Sequence, residues 1–485
     1  VLSELLRSRF AALLAALALT TTVATVASAA NDLPDIGSSV SKTLSLTQEQ
    51  LIGDDYMRQI RQFAPIIDDP EIVEYINDLG FRLVASAPDA TDRQFYFFVL
   101  ADPELNAFAL PGGYIGVHSA LILMADNESE LAGVMAHETA HVIQRHLARR
   151  VERQQQLSLP TLAAIIGGLI MAANNPQAGI AAMTAAQAGA TQVMINHTRE
   201  NEAEADRIGI QILADVSLDP NGMASFFEKM AAQTRYMQMP PPVLLTHPVS
   251  EQRMADARLR AAEMHPHPVS NSLRFRLMQA KLRDLTQTDL DQREREQVQA
   301  EKLAEADPVV RYSRALLSLR RGELDTATRI ASQLMQQEPS NLSYLLLQAQ
   351  VLRARQNFTD AEQLLGKALA LHPNHHALTV AYSQVLLDLG KADRARERLL
   401  AYVSLPDTEP NVYRLLASAQ NQAGKTDEVH ESQGLYLQAV GDLSGAIQQF
   451  ELARRSRSDD PYASTRIQAR IQHLQNILLE RRRRR

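Results

Sequence analysis

Apolar positions change their spacing several times along the chain, and the changes divide it into elements. From residue 31 to about 91 the apolar side chains recur at helical intervals, as in Tyr56, Ile60, Phe63 and Ile66 and then Ile72, Tyr75, Ile76 and Leu79, which predicts helices. The spacing then shortens. Gln94 to Leu100 and Ala107 to Val117 are rich in aromatic and β-branched residues, and Pro111-Gly112-Gly113 between extended pieces predicts a turn within a small, strongly twisted sheet. Asn127 to Glu130 has the form of a capping box, and no proline follows before Pro160, so a long helix is expected to begin here. Residues 161–173 are apolar on every side and 178–195 are alanine-rich; they read as buried helices, as a movable cover, or as a surface that rests on a membrane or client. Amphipathic helices are predicted over 196–218 and 225–232 before the prolines at 240–242.

Toward the C-terminus a period of 34 takes over. Gly322, Gln356, Gly390 and Gly424 fall at that step, as do Ala327, Ala361, Ala395 and Val429, and Pro339 and Pro373 share it. A small residue at a turn, a small residue where two helices meet and a proline at repeat ends resemble the tetratricopeptide repeat, with three clear units and one or two weaker ones. The expected division is a signal segment over 1–29, a globular domain over 30–264, a charged helical linker over 265–305 and repeats over 306–485.

Composition narrows the chemistry. The chain has 485 residues with a net charge of −7, so nothing attracts it globally to nucleic acid. It has no cysteine, which excludes disulfides, thiolate metal sites and a thiol nucleophile, and leaves His and carboxylate as the metal donors. Arg7 and Arg9 precede an apolar run to Leu19, and Ala27-Ser28-Ala29 has cleavage-site character. A secretory signal cut near Ala29 and a periplasmic location are expected, since the run falls short of the ~20 residues of a span.

His137-Glu138-Thr139-Ala140-His141 places two imidazoles four apart on one helix face, with a carboxylate between them. That spacing suits one zinc ion per chain, with Glu138 as general base toward the water that the metal acidifies. A catalytic zinc takes a third protein ligand and keeps one position open. Glu202 is the favoured third ligand, sharing a face with Asp206, although Glu200 and Glu204 compete on periodicity alone.

The HExxH helix, an ExxAD segment about sixty residues later and NAFALPGGYI upstream resemble the metallopeptidase group of the CAAX prenyl protease and the heat-shock membrane protease, over about residues 40 to 260. The resemblance implies a mainly α chain: a zincin-like α+β domain with a small sheet, then all-α repeats. It also implies Glu202 as zinc ligand and Asp206 as proton donor or supporting group. The signal segment and repeats narrow it to periplasmic members that assist the assembly of outer-membrane β-barrel proteins and degrade misfolded ones. Expected partners are therefore unfolded or misassembled outer-membrane proteins and, through the repeats, the β-barrel assembly machinery. A largely latent or non-proteolytic chaperone acting through its repeats is the alternative.

His247, in a His-Pro pair, is a candidate to bind an oxyanion, to fill the open zinc position, or to lie solvated in a loop. Arg253 is a candidate to stabilise an oxyanion or to pair with Asp206. His118, His146 and His197 read as structural, and His265, His267, His372, His375 and His376 as surface residues. The segment from Asn106 to Val117 reads either as an edge strand that pairs with substrate backbone or as a buried hairpin. Arg481 to Arg485 reads as a solvated tail or a contact for anionic lipid or an acidic partner.

Overall fold

The structure is a computed structural model that describes residues 44–87, 90, 93–153, 199–234, 240–264, 272–405 and 408–484. The signal segment, the apolar 161–195 stretch, His197, His265, His267 and Arg485 lie outside these. No helix among the described residues is long and apolar enough to cross a membrane. The chain forms two compact units, one reaching to Ile67 and resuming over Tyr75–Ser272, the other made of Asp68–Glu74 and the chain from Leu273 onward.

The first unit opens with α1 (Leu46–Phe63) and continues with α2 (Pro70–Ser86) from Tyr75 onward, the first residues of that helix being counted with the second unit. A full capping box at Ser45 and Gln48 starts α1, and Tyr56 and Ile60 are buried as their spacing predicts. The pattern misled at its end. Phe63 is exposed, and Ile66, past the end of α1, forms an isolated antiparallel bridge to Leu100, because the chain straightens ahead of Asp68-Asp69-Pro70.

Strands β1 (Tyr96–Leu100), β2 (Ala107–Leu110) and β3 (Tyr114–His118) make a sheet of order β1-β3-β2. β1 runs parallel to β3, and β2 antiparallel to it with Leu110 opposite Tyr114. The Asn106–Val117 segment folds as a hairpin in which β2 is an outer strand of the sheet. A short helix, α3 (Ser119–Met124), leads to α4 (Glu128–Ile143).

Asn127 caps α4 by accepting from Glu130 N–H, but Glu130 reaches back one residue further than expected, to Asp126 N–H at 2.8 Å. The long helix also ends earlier than expected. Arg145 takes a left-handed conformation (φ 50°), and α5 (His146–Arg153) starts afresh. With neither Gly nor Pro present, tertiary contacts hold the break: Arg145 Nε lies 2.9 Å from Glu49 and its Nη2 binds Leu44 O, while Arg93 covers the carbonyls of Val142 and Ile143. A non-glycine residue in this region costs about 1–2 kcal/mol, which the new bonds offset.

α6 (Arg199–Asp215) crosses α4 closely, because at Gly209 a methyl group would stand 3.1 Å from the backbone N of His137. Its inner face is Ala205, Ile208, Ile212 and Leu213, all buried. The unit ends with α7 (Gly222–Thr234), the short α8 (Pro242–Thr246) and α9 (Glu251–Glu263).

In the second unit, α10 (Leu273–Thr286) and α11 (Leu290–Ala304) precede eight helices in strict register. Phe275, Leu277 and Leu282 on α10 are fully buried. The first helix of each pair starts at Pro308, Leu342, His376 and Pro410, and the second at Leu324, Phe358, Ala392 and Thr426, a step of 34 in both rows. These are α12 to α19 in chain order, followed by α20 (Leu443–Ser456) and α21 (Pro461–Arg484). All four turn positions read from the period are left-handed: Gly322, Gln356, Gly390 and Gly424, with φ of 77°, 59°, 71° and 70°. Ala327, Ala361 and Ala395 are completely buried at the helix contacts, which explains the small residue.

His372 is exposed, but His375 and His376 are not the surface residues that the sequence suggests. His375 caps the helix that starts at His376, and His376 Nδ1 lies 3.1 Å from Tyr402 Oη.

Candidate metal centre

Four segments converge in the first unit. α4 supplies His137, Glu138 and His141, α6 supplies Glu202 and Asp206, His247 closes the C-terminal end of α8, and α9 supplies Arg253. α8 is tied to the start of β2 by Val243 N–H donating to Leu105 O, which sets the position of His247. One donor atom from each of His137, His141, Glu202 and His247 lies within 4.8 Å of the others, and all four residues are buried.

His141 Nε2 is 3.0 Å from His137 Nε2 and 3.4 Å from Glu202 Oε1. His247 Nδ1 is 3.3 Å from His137 Nε2 and 3.2 Å from Glu202 Oε1, while its Nε2 is 3.4 Å from Glu138 Oε1. The other Glu138 oxygen is buried with no hydrogen-bond partner among the described residues.

Behind these groups, Asp206 Oδ1 is 2.9 Å from His137 Nδ1, and Arg253 grips Asp206 with two 2.8 Å bonds and Glu202 Oε2 at 2.9 Å. The guanidinium also lies over the Phe227 ring, 4.9 Å from its centroid. Of the sequence candidates, Glu202 reaches the centre. Glu200 is exposed at the start of α6, and Glu204 faces His146 and Arg149 at 3.1 and 2.9 Å. His118 is buried beside Asp102 and Glu104, apart from this group.

Electrostatics favour a cation here. Burial disfavours the charged form of Glu202, yet the imidazoles of His247, His137 and His141 hold its carboxyl well below the usual range. Burial likewise opposes protonation of His137, but Asp206 and Glu202 outweigh it and push its pKa up to about 10. Asp206 stays below the ordinary carboxyl range against its burial, held there by His137 and Arg253. Ring nitrogens and carboxylate oxygens that face one another in a dry cavity repel unless a positive charge sits among them. The donor set of imidazole and carboxylate fits a divalent transition metal, with no sulfur or amine to compete.

The chain is 37% identical to the β-barrel assembly-enhancing protease of Escherichia coli (strain K12), over 98% of this chain and 97% of that one. Residues 73–261 match the model of peptidase family M48. The chain belongs to that family. It is a metalloendopeptidase, and the family implies a metal ion. The β-barrel assembly-enhancing protease of Yersinia pestis is 36% identical over 92% of each chain. The mitochondrial metalloendopeptidase OMA1 of Schizosaccharomyces pombe is 30% identical over 37% of this chain and 50% of that one. Residues 352–419 match a tetratricopeptide-repeat model, so the mainly α architecture of a peptidase domain followed by helical repeats stands as expected.

His146, which the sequence reads as structural, is almost fully buried with its ring against His141. Burial pushes its pKa down to about 4, against the pull of Glu204. Its position five residues after His141 was the available signal, and the unforeseen break at Arg145 hid it.

Proposed function

We propose that this chain is a zinc endopeptidase of the periplasm that degrades misfolded outer-membrane β-barrel proteins and promotes the assembly of others. His137, His141 and Glu202 hold one zinc per chain, Glu138 is the general base, and Asp206 orients His137. The observation that carries this reading is the buried convergence of His137, His141, Glu202 and His247, with the Glu138 carboxylate beside them.

When bound, zinc supplies Lewis acidity toward a water and a peptide carbonyl. Glu138 takes the proton released as hydroxide adds to the carbonyl carbon, and returns it to the amine nitrogen as the C–N bond breaks. Asp206 keeps the Nε2 lone pair of His137 directed inward, and Arg253 balances the charge of both α6 carboxylates. The contact of Asp206 with His137 and its two bonds from Arg253 favour this orienting role over proton donation. β2, as an outer strand, suits main-chain pairing with an extended and therefore unfolded client.

The relatives' names support the client class, and the repeats support docking on an assembly machine, since stacked helix pairs offer a broad protein-binding surface. The export signal and the boundaries at 29, 264 and 305 belong to the same proposal. A second reading has one observation in its favour: His247 supplies a fourth donor, so that the enzyme rests latent and the repeats act as a chaperone until α8 withdraws.

Zinc content and hydrolysis of an unfolded casein-like protein, compared among wild type, Glu138→Gln and His247→Ala, test both readings. About one zinc per chain, with cleavage cut by roughly 10²–10⁴ in Glu138→Gln, is the expected result. A more active His247→Ala supports latency. Undiminished hydrolysis by Glu138→Gln removes its assigned role, and a metal-free wild type moves the case to a repeat-based chaperone.

A further inference from the structure

His146 Nδ1 stands 2.8 Å from Nδ1 of His141, the nitrogen opposite the one that faces His137 and Glu202. His146 Nε2 stands 3.1 Å from Glu204 Oε2, an oxygen that also accepts from Arg149 Nη1 at 2.9 Å. A carboxylate paired with arginine only accepts, so the proton of a neutral His146 ring is on Nε2. Its Nδ1 is then the acceptor, and the hydrogen between the two rings belongs to Nδ1 of His141. This leaves the Nε2 lone pair of His141 directed at the centre.

We propose that His146, backed by Glu204 and Arg149, is a positioning residue that fixes His141 in its metal-binding tautomer. The inference rests on the metal reading given above. The two imidazoles of the motif are therefore oriented differently, His137 by a charged carboxylate in direct contact and His141 by a neutral ring that relays a carboxylate. The Arg145 break makes this possible. In an unbroken helix five residues span a rotation of about 140° beyond one turn, which would carry His146 off the face of His141.

The test uses the full chain, with zinc affinity from chelator competition and the visible spectrum of the cobalt-substituted protein. His146→Leu is expected to weaken zinc about 10–100-fold and to shift the cobalt bands, with the thermal midpoint of the metal-free protein unchanged. His146→Asn keeps an acceptor oxygen near the Nδ1 position and is expected to recover most of that loss. Should His146→Leu fold poorly, Glu204→Ala, at a half-exposed site, is expected to weaken zinc by about tenfold. Wild-type-like zinc affinity and cobalt spectrum in the Leu or Ala variant, or an Asn variant as weak as Leu, overturns the inference while the metal site stands. A wild type that binds no zinc overturns the metal reading and the inference together.

Discussion

Arg253 in the first unit and Arg314 in the second each hold two carboxylates with short bonds. Arg253 binds Asp206 and Glu202, whose side chains are 7% and 3% exposed. Arg314 binds Glu294 and Glu301 at 2.7 and 2.6 Å, but these side chains are 31% and 32% exposed. Water shares the load at Arg314, so the pairing is a modest pin between α11 and α12. At Arg253 burial leaves little solvent to share it, and the carboxylates also face imidazoles, so the cluster holds together only while its charges balance. The peptidase unit concentrates buried charge at one point, whereas the repeats spread ordinary packing along their length.

The contrast breaks first at Arg253. Arg253→Met leaves two buried carboxylates short of a cation and is expected to destabilise the first unit by about 3–5 kcal/mol in urea unfolding. A loss below about 1 kcal/mol would mean that the cluster is as wet as the one at Arg314. Next, Leu365→Ala, at a fully buried repeat position, is expected to cost the second unit about 2–5 kcal/mol while zinc per chain stays at its wild-type value. A fall in metal content in that variant would show that the units are not energetically separate.

Smaller effects sharpen the picture. Gln356 is the one non-glycine among the four left-handed turn positions, and Gln356→Gly is expected to stabilise the repeats by about 0.5–1 kcal/mol, read as a higher thermal midpoint. The smallest effect concerns pH. Hydrogen bonds from Arg314 hold the Glu301 carboxyl below its ordinary value of 4.5. A depressed carboxyl stabilises the fold above its unfolded pKa and loses that contribution as pH falls through its folded pKa. Glu301→Gln is therefore expected to lower the thermal midpoint slightly at neutral pH, with the gap to wild type closing below about pH 4. A gap that persists in acid would assign the effect to packing.

What the sequence disclosed follows the range of the interactions. The spacing of His137 and His141 is local geometry, so their convergence beside Glu138 was legible without any fold. Glu202 was favoured by the face it shares with Asp206, but it needed the resemblance to be preferred firmly over Glu200 and Glu204, because which of the three faces the imidazoles depends on how α6 crosses α4. The repeats were legible because the same turn recurs, and even Gln356 kept its place in the count. Arg145 was not, since its left-handed backbone is imposed by Glu49 and Leu44, about a hundred residues earlier. With that break hidden, His146 looked like one more buried histidine. Ile66 failed for the converse reason: its spacing is helical, yet the chain leaves the helix after Phe63 to meet β1.

The uniform 34-residue step has a consequence for the length of the molecule. Removing residues 342–375 would join Asn341 directly to His376, so that one first-helix start replaces another and every later turn keeps its place. Because each pair packs chiefly on its neighbours, such an excision subtracts one unit and one interface and leaves the remaining joints of the same kind. Duplicating the same residues would lengthen the array by the same rule. The span of the repeat array is thus a quantity that deletion or duplication of the coding segment can adjust in whole steps.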